Sequence, residues 1–318
     1  GILSKNDEVV AMNAIRQHAE MILRPDDFAG WRINWNDKAQ NLSQLVRELN
    51  LGLDSVVFLD DNPAERARIR ESFPEVLVPD LPEDKRLYVQ TLLALDCFNK
   101  PDVTVEDRQR VRMYAEERQR TEIRHAATSI DDWLASLKMV ITASRLNKSN
   151  LARVTQLLNK TNQMNLSTRR LSEIEYAQWS SAPGRMVWAF RVEDRLGDSG
   201  LVGILGVETE GSRATIVDFV LSCRVMGRRV EETMLHVAVE WARQSGLKEV
   251  QATCRPTAKN QPCREFFRRN TFRECATDEF VWDTTAAYPA VPAISLVLDN
   301  DDKMTDQPAS ARQTTGSK

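Results

Sequence analysis

Two carboxylates stand side by side in Leu59-Asp60-Asp61-Asn62, directly after the wholly apolar run Val56-Val57-Phe58-Leu59. In open α/β sheets, ligands bind beyond the carboxyl ends of the strands. Paired acids there suit Mg²⁺, a hard cation that takes oxygen ligands and keeps several waters. The same residues suit a helix start, because Asp and Asn cap well and Pro63 fits a first turn, and both roles can hold together. The second candidate chemistry is that of a thiol. Of the five cysteines, Cys97, Cys223, Cys254, Cys263 and Cys275, Cys223 lies where an apolar strand gives way to a helix, beside Arg224 and close in sequence to Arg228 and Arg229. A helix N-terminus and nearby cations raise the thiolate fraction of a cysteine, and a thiolate can attack an acyl phosphate and carry the acyl group. A buried structural cysteine is the competing reading. Cys263 is the second choice for an acyl-bearing thiol, while Cys97, Cys254 and Cys275 read as core. His18, His125 and His236 read as structural, His236 lying too far down its helix to pair with Cys223.

These residues need elements to place them. Gly1-Ile2-Leu3 reads as the tail of an apolar strand, so upstream sequence is expected. Ser4-Lys5-Asn6-Asp7 is a polar turn, after which Val9, Val10, Met12 and Ile15 recur at helical spacing. A second helix is expected from about Lys38 to Leu49, with Leu42, Leu45, Val46 and Leu49 on one face, and Asn50-Leu51-Gly52 stops it with Gly as end cap. Val56–Leu59 and Val76–Val78 read as buried parallel strands. The alternation implies a doubly wound α/β sheet. The Glu- and Arg-dense stretch around 105–124 reads as a solvated helix. A second periodicity starts near Lys138: strands at 138–143, 186–192, 201–207, 214–221 and 249–254, with helices at 151–158 and 230–244. That is an α+β domain with a mainly antiparallel sheet. The expected organisation is residues 1–100, a helical linker over 101–137, a second domain over 138–297, and a disordered tail over 298–318, rich in Asp, Ser, Thr and Gln.

The composition excludes some classes of partner. The formal net charge is -3, with a pI of about 5.8, whereas nucleic-acid binding needs a basic face. No apolar run approaches a membrane span, and no secretory signal opens the chain. Five scattered cysteines with no Cys-x-x-Cys pair argue against a zinc site and for reduced thiols, as in the cytoplasm.

Ser4, Lys38 and Asp60-Asp61 resemble, in order, the second, third and fourth motifs of the haloacid-dehalogenase-type (HAD) phosphatases. The resemblance implies that Ser4 holds a phosphoryl oxygen, Lys38 balances charge at the phosphoryl group, and Asp60 and Asp61 supply Mg²⁺ ligands. Phosphoryl transfer is mostly positioning and charge neutralisation. The first motif, Asp-x-Asp, which carries the nucleophile, does not precede Ser4, so complete phosphatase chemistry is not expected of these 318 residues. Longer blocks are similar to the FkbH-like family: Ser4-Lys5-Asn6-Asp7, Arg32-Ile33-Asn34-Trp35, Phe58–Pro63, Leu157–Gln163, Ser222-Cys223-Arg224-Val225 with Gly227, and Pro256-Thr257-Ala258-Lys259-Asn260. They span the chain to about Phe272.

Arg224-Val225-Met226-Gly227-Arg228-Arg229 is similar to the R-x-x-G-x-G/A loop of GNAT acetyltransferases. That loop cradles the pyrophosphate of coenzyme A on backbone N–H groups. Here Arg229 replaces a small residue, which points to a carrier-bound phosphopantetheine arm as the ligand instead. The resemblance makes Arg224, Gly227, Arg228 and Asn260 the residues that bind this arm. Asn260, Phe266-Phe267 and Thr271-Phe272 match a further GNAT pattern, with Phe267 in place of the usual proton-donating Tyr. The fold implied is a partial HAD-like doubly wound parallel sheet followed by a GNAT-like α+β domain. The activity implied is the loading of a glyceryl group from 1,3-bisphosphoglycerate, a phosphorylated three-carbon acid, onto an acyl carrier protein in polyketide biosynthesis, with loss of phosphate. Two alternatives stay open: a HAD-type phosphatase with a degenerate acetyltransferase-like domain, and a non-catalytic carrier-protein docking module.

Overall fold

The computed structural model describes residues 1–49, 51–99, 105–270 and 272–299, with the backbone alone over 105–111. The expectations that fall on Asn50, 100–104, Thr271 and 300–318 lie outside the described residues, while Leu298 and Asp299, expected to open a disordered tail, end a strand instead. The fold is mixed α/β, and the chain divides into two compact units, Gly1–Ala126 and Ala127–Lys318.

The first unit begins with β1 (Ile2–Ser4), α1 (Glu8–Gln17), β2 (Trp31–Ile33), α2 (Lys38–Glu48), α3 (Pro63–Ser72), α4 (Tyr88–Leu93) and α5 (Val105–Ala126). β1 and β2 pair in parallel, Ile2 opposite Trp31 and Ser4 opposite Ile33. The two apolar runs expected as strands meet in a single parallel bridge, Val57 to Leu77. Phe58 N donates to Leu77 O at 2.9 Å and Leu77 N to Val56 O at 3.0 Å, so the ladder is one step long and the expected doubly wound sheet is present only in short pieces. Ala39, Leu42, Val46, Phe58, Ile69, Val76 and Val78 form the core of this unit.

Local chemistry sets the ends of its helices. Asp7 caps α1, its carboxylate accepting from Val10 N at 3.1 Å. The apolar face expected on α1 differs: Val9 and Val10 point outward, and Met12 is the buried residue. α2 buries Leu42, Leu45 and Val46 as the spacing demands. Gly52 is not a left-handed end cap; its φ is -79°, and Leu51 N closes the helix end onto Val46 O at 2.9 Å. The stretch expected as a solvated linker is divided between the units. α5 belongs to the first, where Arg118 lies 4.2 Å above the Trp31 ring and donates to Phe28 O at 3.2 Å.

The second unit runs α6 (Ile130–Leu137), β3 (Met139–Arg145), α7 (Leu151–Lys160), β4 (Met164–Asn165), α8 (Glu173–Ser180), β5 (Arg185–Asp194), β6 (Gly197–Glu210), β7 (Arg213–Leu221), α9 (Val230–Gln244), β8 (Glu249–Thr253), α10 (Gln261–Arg269), β9 (Arg273–Ala276), β10 (Glu279–Asp283) and β11 (Ile294–Asp299). The sheet order is β11-β3-β5-β6-β7-β8-β10-β9, with β4 on β7. β11–β3 and β7–β8 are parallel and the remaining pairs antiparallel. The first half of β7 pairs with β8, as far as Ile216. Its last residues, Val220 and Leu221, pair with β4 instead. β7 therefore parts from β8 after Ile216, ahead of Cys223.

Asp218, on β7, is fully buried. A bare buried carboxylate is costly, and this one is met by Arg169, by the Tyr176 hydroxyl at 3.0 Å and by Ser167 Oγ at 3.4 Å. Arg169 lies 3.9 Å over the Trp179 ring. This network fastens α8 to the sheet. Gly206 on β6 is required by it, since a Cβ there would come within 2.8 Å of an Asp218 oxygen.

Candidate active site

In the first unit, Ser4 ends β1 and Lys38 is the first residue of α2. A cation at a helix N-terminus opposes the helix dipole, so this placement depends on a nearby anion. Asp60 supplies it: Lys38 Nζ meets Asp60 Oδ2 at 2.5 Å, with both side chains largely buried. The capping roles fall elsewhere. Asp37 caps α2 by accepting from Ala39 N at 2.7 Å, a hydrogen bond that with Arg68 holds its carboxyl below the usual range. Asn62 caps α3 by accepting from Ala64 N at 2.9 Å. Asp60 is thus left for Lys38, while its Oδ1 accepts from Asn62 N at 2.9 Å.

Asp61 points outward, with 64% of its side chain exposed and Lys85 3.8 Å away. Among the described residues no group of three or more His, Cys, Asp or Glu could hold a metal. The oxygen donors present fit a Mg²⁺ that takes one or two carboxylates and completes its shell with water and a bound phosphate. They do not form an all-protein cage.

Three residues that the sequence reading did not single out complete this edge. Arg66 on α3 is buried and reaches back to the carbonyls of Asp60 and Asp61 at 2.8 and 3.1 Å, fixing the carboxylate loop. Lys5 donates to Glu65 Oε1 at 2.6 Å. This bond, with the fields of Glu65, Asp37 and Asp60, raises the Lys5 pKa. The arrangement is a cation-lined rim at the carboxyl end of β1, able to balance the charge of a phosphoryl group.

In the second unit, Cys223 is exposed and starts a single tight turn, Cys223–Val225, after β7. α9 begins only at Val230. The helix N-terminus expected to favour a thiolate is therefore not at Cys223, because six residues intervene. The flanking cations are drawn off too. Arg229 pairs with Asp131 at 2.8 Å, and Arg228 lies in the interior with Asp194 at 3.8 Å while donating to Arg224 O at 2.6 Å. Arg224, next to Cys223 in sequence, donates through Nε to Ser222 Oγ at 3.2 Å.

Arg228 and Asn260, expected to bind the pantetheine arm, have their side chains turned inward. Asn260 is fully buried. It donates to Asn165 O and Arg255 O at 3.0 and 2.8 Å and accepts from Thr257 N at 2.8 Å, so it pins the loop after β8 onto β4. Gly227 adopts φ +74° with open space where a Cβ would be.

Cys263 and Cys254 are buried against each other, and the Cys254 thiol and desolvation push Cys263 well up, an environment that disfavours a nucleophile. Cys97 and Cys275, read as core from sequence, are exposed: Cys97 lies in a surface turn and Cys275 on the edge strand β9, all of whose residues face solvent. His236 keeps a structural role, Nδ1 lying 2.8 Å from Tyr288 O. No described helix is long and apolar enough to cross a membrane.

No family profile and no curated protein matches the chain. Solved structures do. The N-terminal part of a Bacteroides fragilis protein containing a phosphatase domain, crystallised with Mg, is 43% identical over 32% of this chain, at a TM-score of 0.31. The match spans only 28% of that chain. The spermidine N-acetyltransferase of Vibrio cholerae, in complex with CoA and spermine, aligns over 46% of this chain and 97% of its own, at 14% identity and a TM-score of 0.38. The ribosomal-protein-S18-alanine N-acetyltransferase of Escherichia coli aligns over 43% of this chain and 79% of its own, at 12% identity and a TM-score of 0.34. These neighbours are enzymes.

Proposed function

We propose that the chain takes part in phosphoryl and acyl transfer, handling a phosphate ester in its first unit's chemistry and an acyl phosphate and thioester in its second. The finer reading is that of the FkbH-like resemblance: a glyceryl group from 1,3-bisphosphoglycerate is carried as an enzyme thioester and passed to the phosphopantetheine arm of an acyl carrier protein for polyketide biosynthesis, in the cytoplasm. The observation that carries the proposal is the largely buried Lys38–Asp60 pair, in the unit whose parallel strand β1 ends at Ser4. A structural pair needs no such edge, whereas a phosphoryl site needs a fixed cation, a hydroxyl donor and a carboxylate at one edge.

Within that reading, Ser4 donates a hydrogen bond to a phosphoryl oxygen and Lys38 neutralises its charge. Asp60 holds Lys38 in place and is the residue that would offer an oxygen to Mg²⁺, which when bound supplies further charge neutralisation. Cys223, as thiolate, forms a bond to the acyl carbon as the bond from that carbon to the phosphate oxygen breaks and phosphate leaves. Its exposure at the end of β7 suits a thiol that must meet a carrier arm.

The test is to incubate the chain with 1,3-bisphosphoglycerate, then digest it and map any adduct by mass spectrometry. A 3-phosphoglyceryl mass on the Cys223 peptide, absent from Cys223→Ser, is the expected result. A mass on Cys263, or one that survives Cys223→Ser, removes Cys223 from the mechanism. Carrier-protein binding with no adduct on any residue favours the docking module.

A further inference from the structure

The loop between β7 and α9 resembles one that presents backbone amides to a diphosphate, yet its amides are already engaged from within. Val225 N donates to Ser222 O at 3.2 Å and Met226 N to Cys223 O at 3.4 Å. The next amide, Gly227 N, donates to Glu231 Oε1 at 3.0 Å. Glu231 comes from the first turn of α9 and is 4% exposed. Its second oxygen, Oε2, is buried with no hydrogen-bond partner. A carboxylate held this way is costly, since each buried polar atom without a partner forfeits its hydration. Desolvation is the largest influence on it, and the neighbouring Glu232 adds to it, raising the Glu231 carboxyl to about 7 against the pull of the Gly227 amide and Arg228. Core packing alone would be served better by an apolar side chain. What the carboxylate does is put two oxygens and a negative charge where a ligand phosphate would sit on this loop.

We propose that Glu231 is a specificity residue, an internal stand-in for a phosphate that occupies the Gly227 amide and turns away diphosphate-bearing thiols such as coenzyme A, while admitting the thiol end of a pantetheine arm that carries no diphosphate. The proposal rests on the reading of the second unit as an acyl-transfer domain. Three consecutive amides are closed to an incoming anion, and an ionised Glu231 repels one. The side of Gly227 where a Cβ would stand is open, which leaves room for a neutral arm to pass without needing the amide.

The experiment is equilibrium binding of three probes, coenzyme A, pantetheine and inorganic pyrophosphate, to the full chain and to Glu231→Ala and Glu231→Gln. Glu231→Ala vacates the amide. Glu231→Gln keeps an acceptor oxygen for it and removes only the charge, and it covers the case in which the alanine variant fails to fold. The wild-type chain is expected to bind coenzyme A no more tightly than pantetheine and to ignore pyrophosphate. Glu231→Ala is expected to bind coenzyme A and pyrophosphate about tenfold more tightly, the size of one charge-assisted hydrogen bond, with pantetheine unchanged. Glu231→Gln is expected to show a smaller gain of the same sign. Wild-type protein that prefers coenzyme A to pantetheine by tenfold or more, or folded variants whose coenzyme A and pyrophosphate affinities match wild type, overturns the proposal. Pantetheine binding to none of the three proteins, with pyrophosphate binding still gained in Glu231→Ala, instead overturns the acyl-transfer reading and leaves Glu231 as an anion plug.

Discussion

Lys38 occupies a position that the helix dipole makes unfavourable for a cation, and Asp60 compensates for it. Because both side chains are largely buried, removing one partner leaves an uncompensated charge. Lys38→Ala is therefore expected to do more than silence phosphoryl chemistry; it should also cost about 3 kcal/mol of stability, the typical penalty for breaking a buried pair. Adding Asp60→Asn to it should recover much of that loss, because the stranded carboxylate is gone. Denaturant titration of the two single variants and the double variant checks this. Additive losses would show that the two groups are not coupled.

Glu231 gives a prediction of opposite sense. Its folded-state pKa of about 7 lies above its ordinary 4.5, chiefly through burial. Between those two values the folded chain keeps a proton that the unfolded chain has released, so stability falls as pH rises through that window. The loss levels off above the folded pKa, at about 3 kcal/mol for a shift of this size. Glu232, raised for the same reason, is unchanged in Glu231→Gln and cancels in a comparison. Glu231→Gln should therefore match wild type near pH 4 and exceed it by that amount near pH 8. A difference that does not vary with pH would show that Glu231 is not a buried acid.

At the level of elements, Arg229 is one of four described non-glycine residues with a left-handed backbone. It stands before α9 at φ +57°, a left-handed conformation that costs an L-residue with a Cβ about 1 kcal/mol and costs glycine little. Its pair with Asp131 is partly exposed, a class of contact that contributes little. Arg229→Gly is expected to raise the thermal midpoint by a few degrees, as a gain of about 1 kcal/mol does in a domain of this size. A lower midpoint would show that the Asp131 pair outweighs the backbone strain.

The elements also show what the sequence made legible. α9 lies at Val230–Gln244, as its periodicity predicts, because a helix packed along one stripe repeats its apolar residues at a fixed interval. β3, β5, β6, β7 and β8 are legible for the matching reason, their runs being apolar and bounded by turns, whereas β4, β9, β10 and β11 are not among the expected strands. In the first unit only Phe58, Val76 and Val78 of the two apolar runs are buried, while Leu59 and Leu77 face outward, because a single bridge carries no ladder and apolar content cannot reveal how many partners a strand has. α8 carried a signal that was passed over: Ser172 and Glu175 form a reciprocal capping box, spelled Ser-x-x-Glu in the sequence. At the site, Lys38 and Asp60 were legible through ordered motifs. Glu231 on Gly227, Arg66 on the Asp60 loop and Lys5 on Glu65 were not, because side-chain partners set by tertiary approach leave no periodic trace. The inward turn of Arg228 and Asn260 was hidden for the same reason.

For the molecule as a whole, the two units have separate cores. Variants in each should therefore report separately in calorimetry. Lys38→Ala is expected to move the transition of the first unit only. Asn260→Ala removes three side-chain hydrogen bonds, one to Asn165 on β4 and two within the loop after β8, and at about 1 kcal/mol each it should move the transition of the second unit by an amount comparable to that of Lys38→Ala. One transition shifted equally by both variants would mean that the units unfold together.

The pairing of β11 with β3 has a consequence for how the second unit is made. Ile294 lies beside Met139 and Asp299 beside Ser144, so the first and last strands of this unit are neighbours in one sheet. Contacts between residues so far apart in sequence close late, because the intervening chain must first be brought to order. On the ribosome, β3 would emerge early and wait with one edge unpaired until nearly the whole unit had been synthesised. An unpaired edge strand is a template for other chains. Truncation before Ile294 is therefore expected to leave most of the sheet intact but to favour self-association, with the exposed edge of β3 as the point of contact. The strand that completes the sheet would then act mainly as its guard.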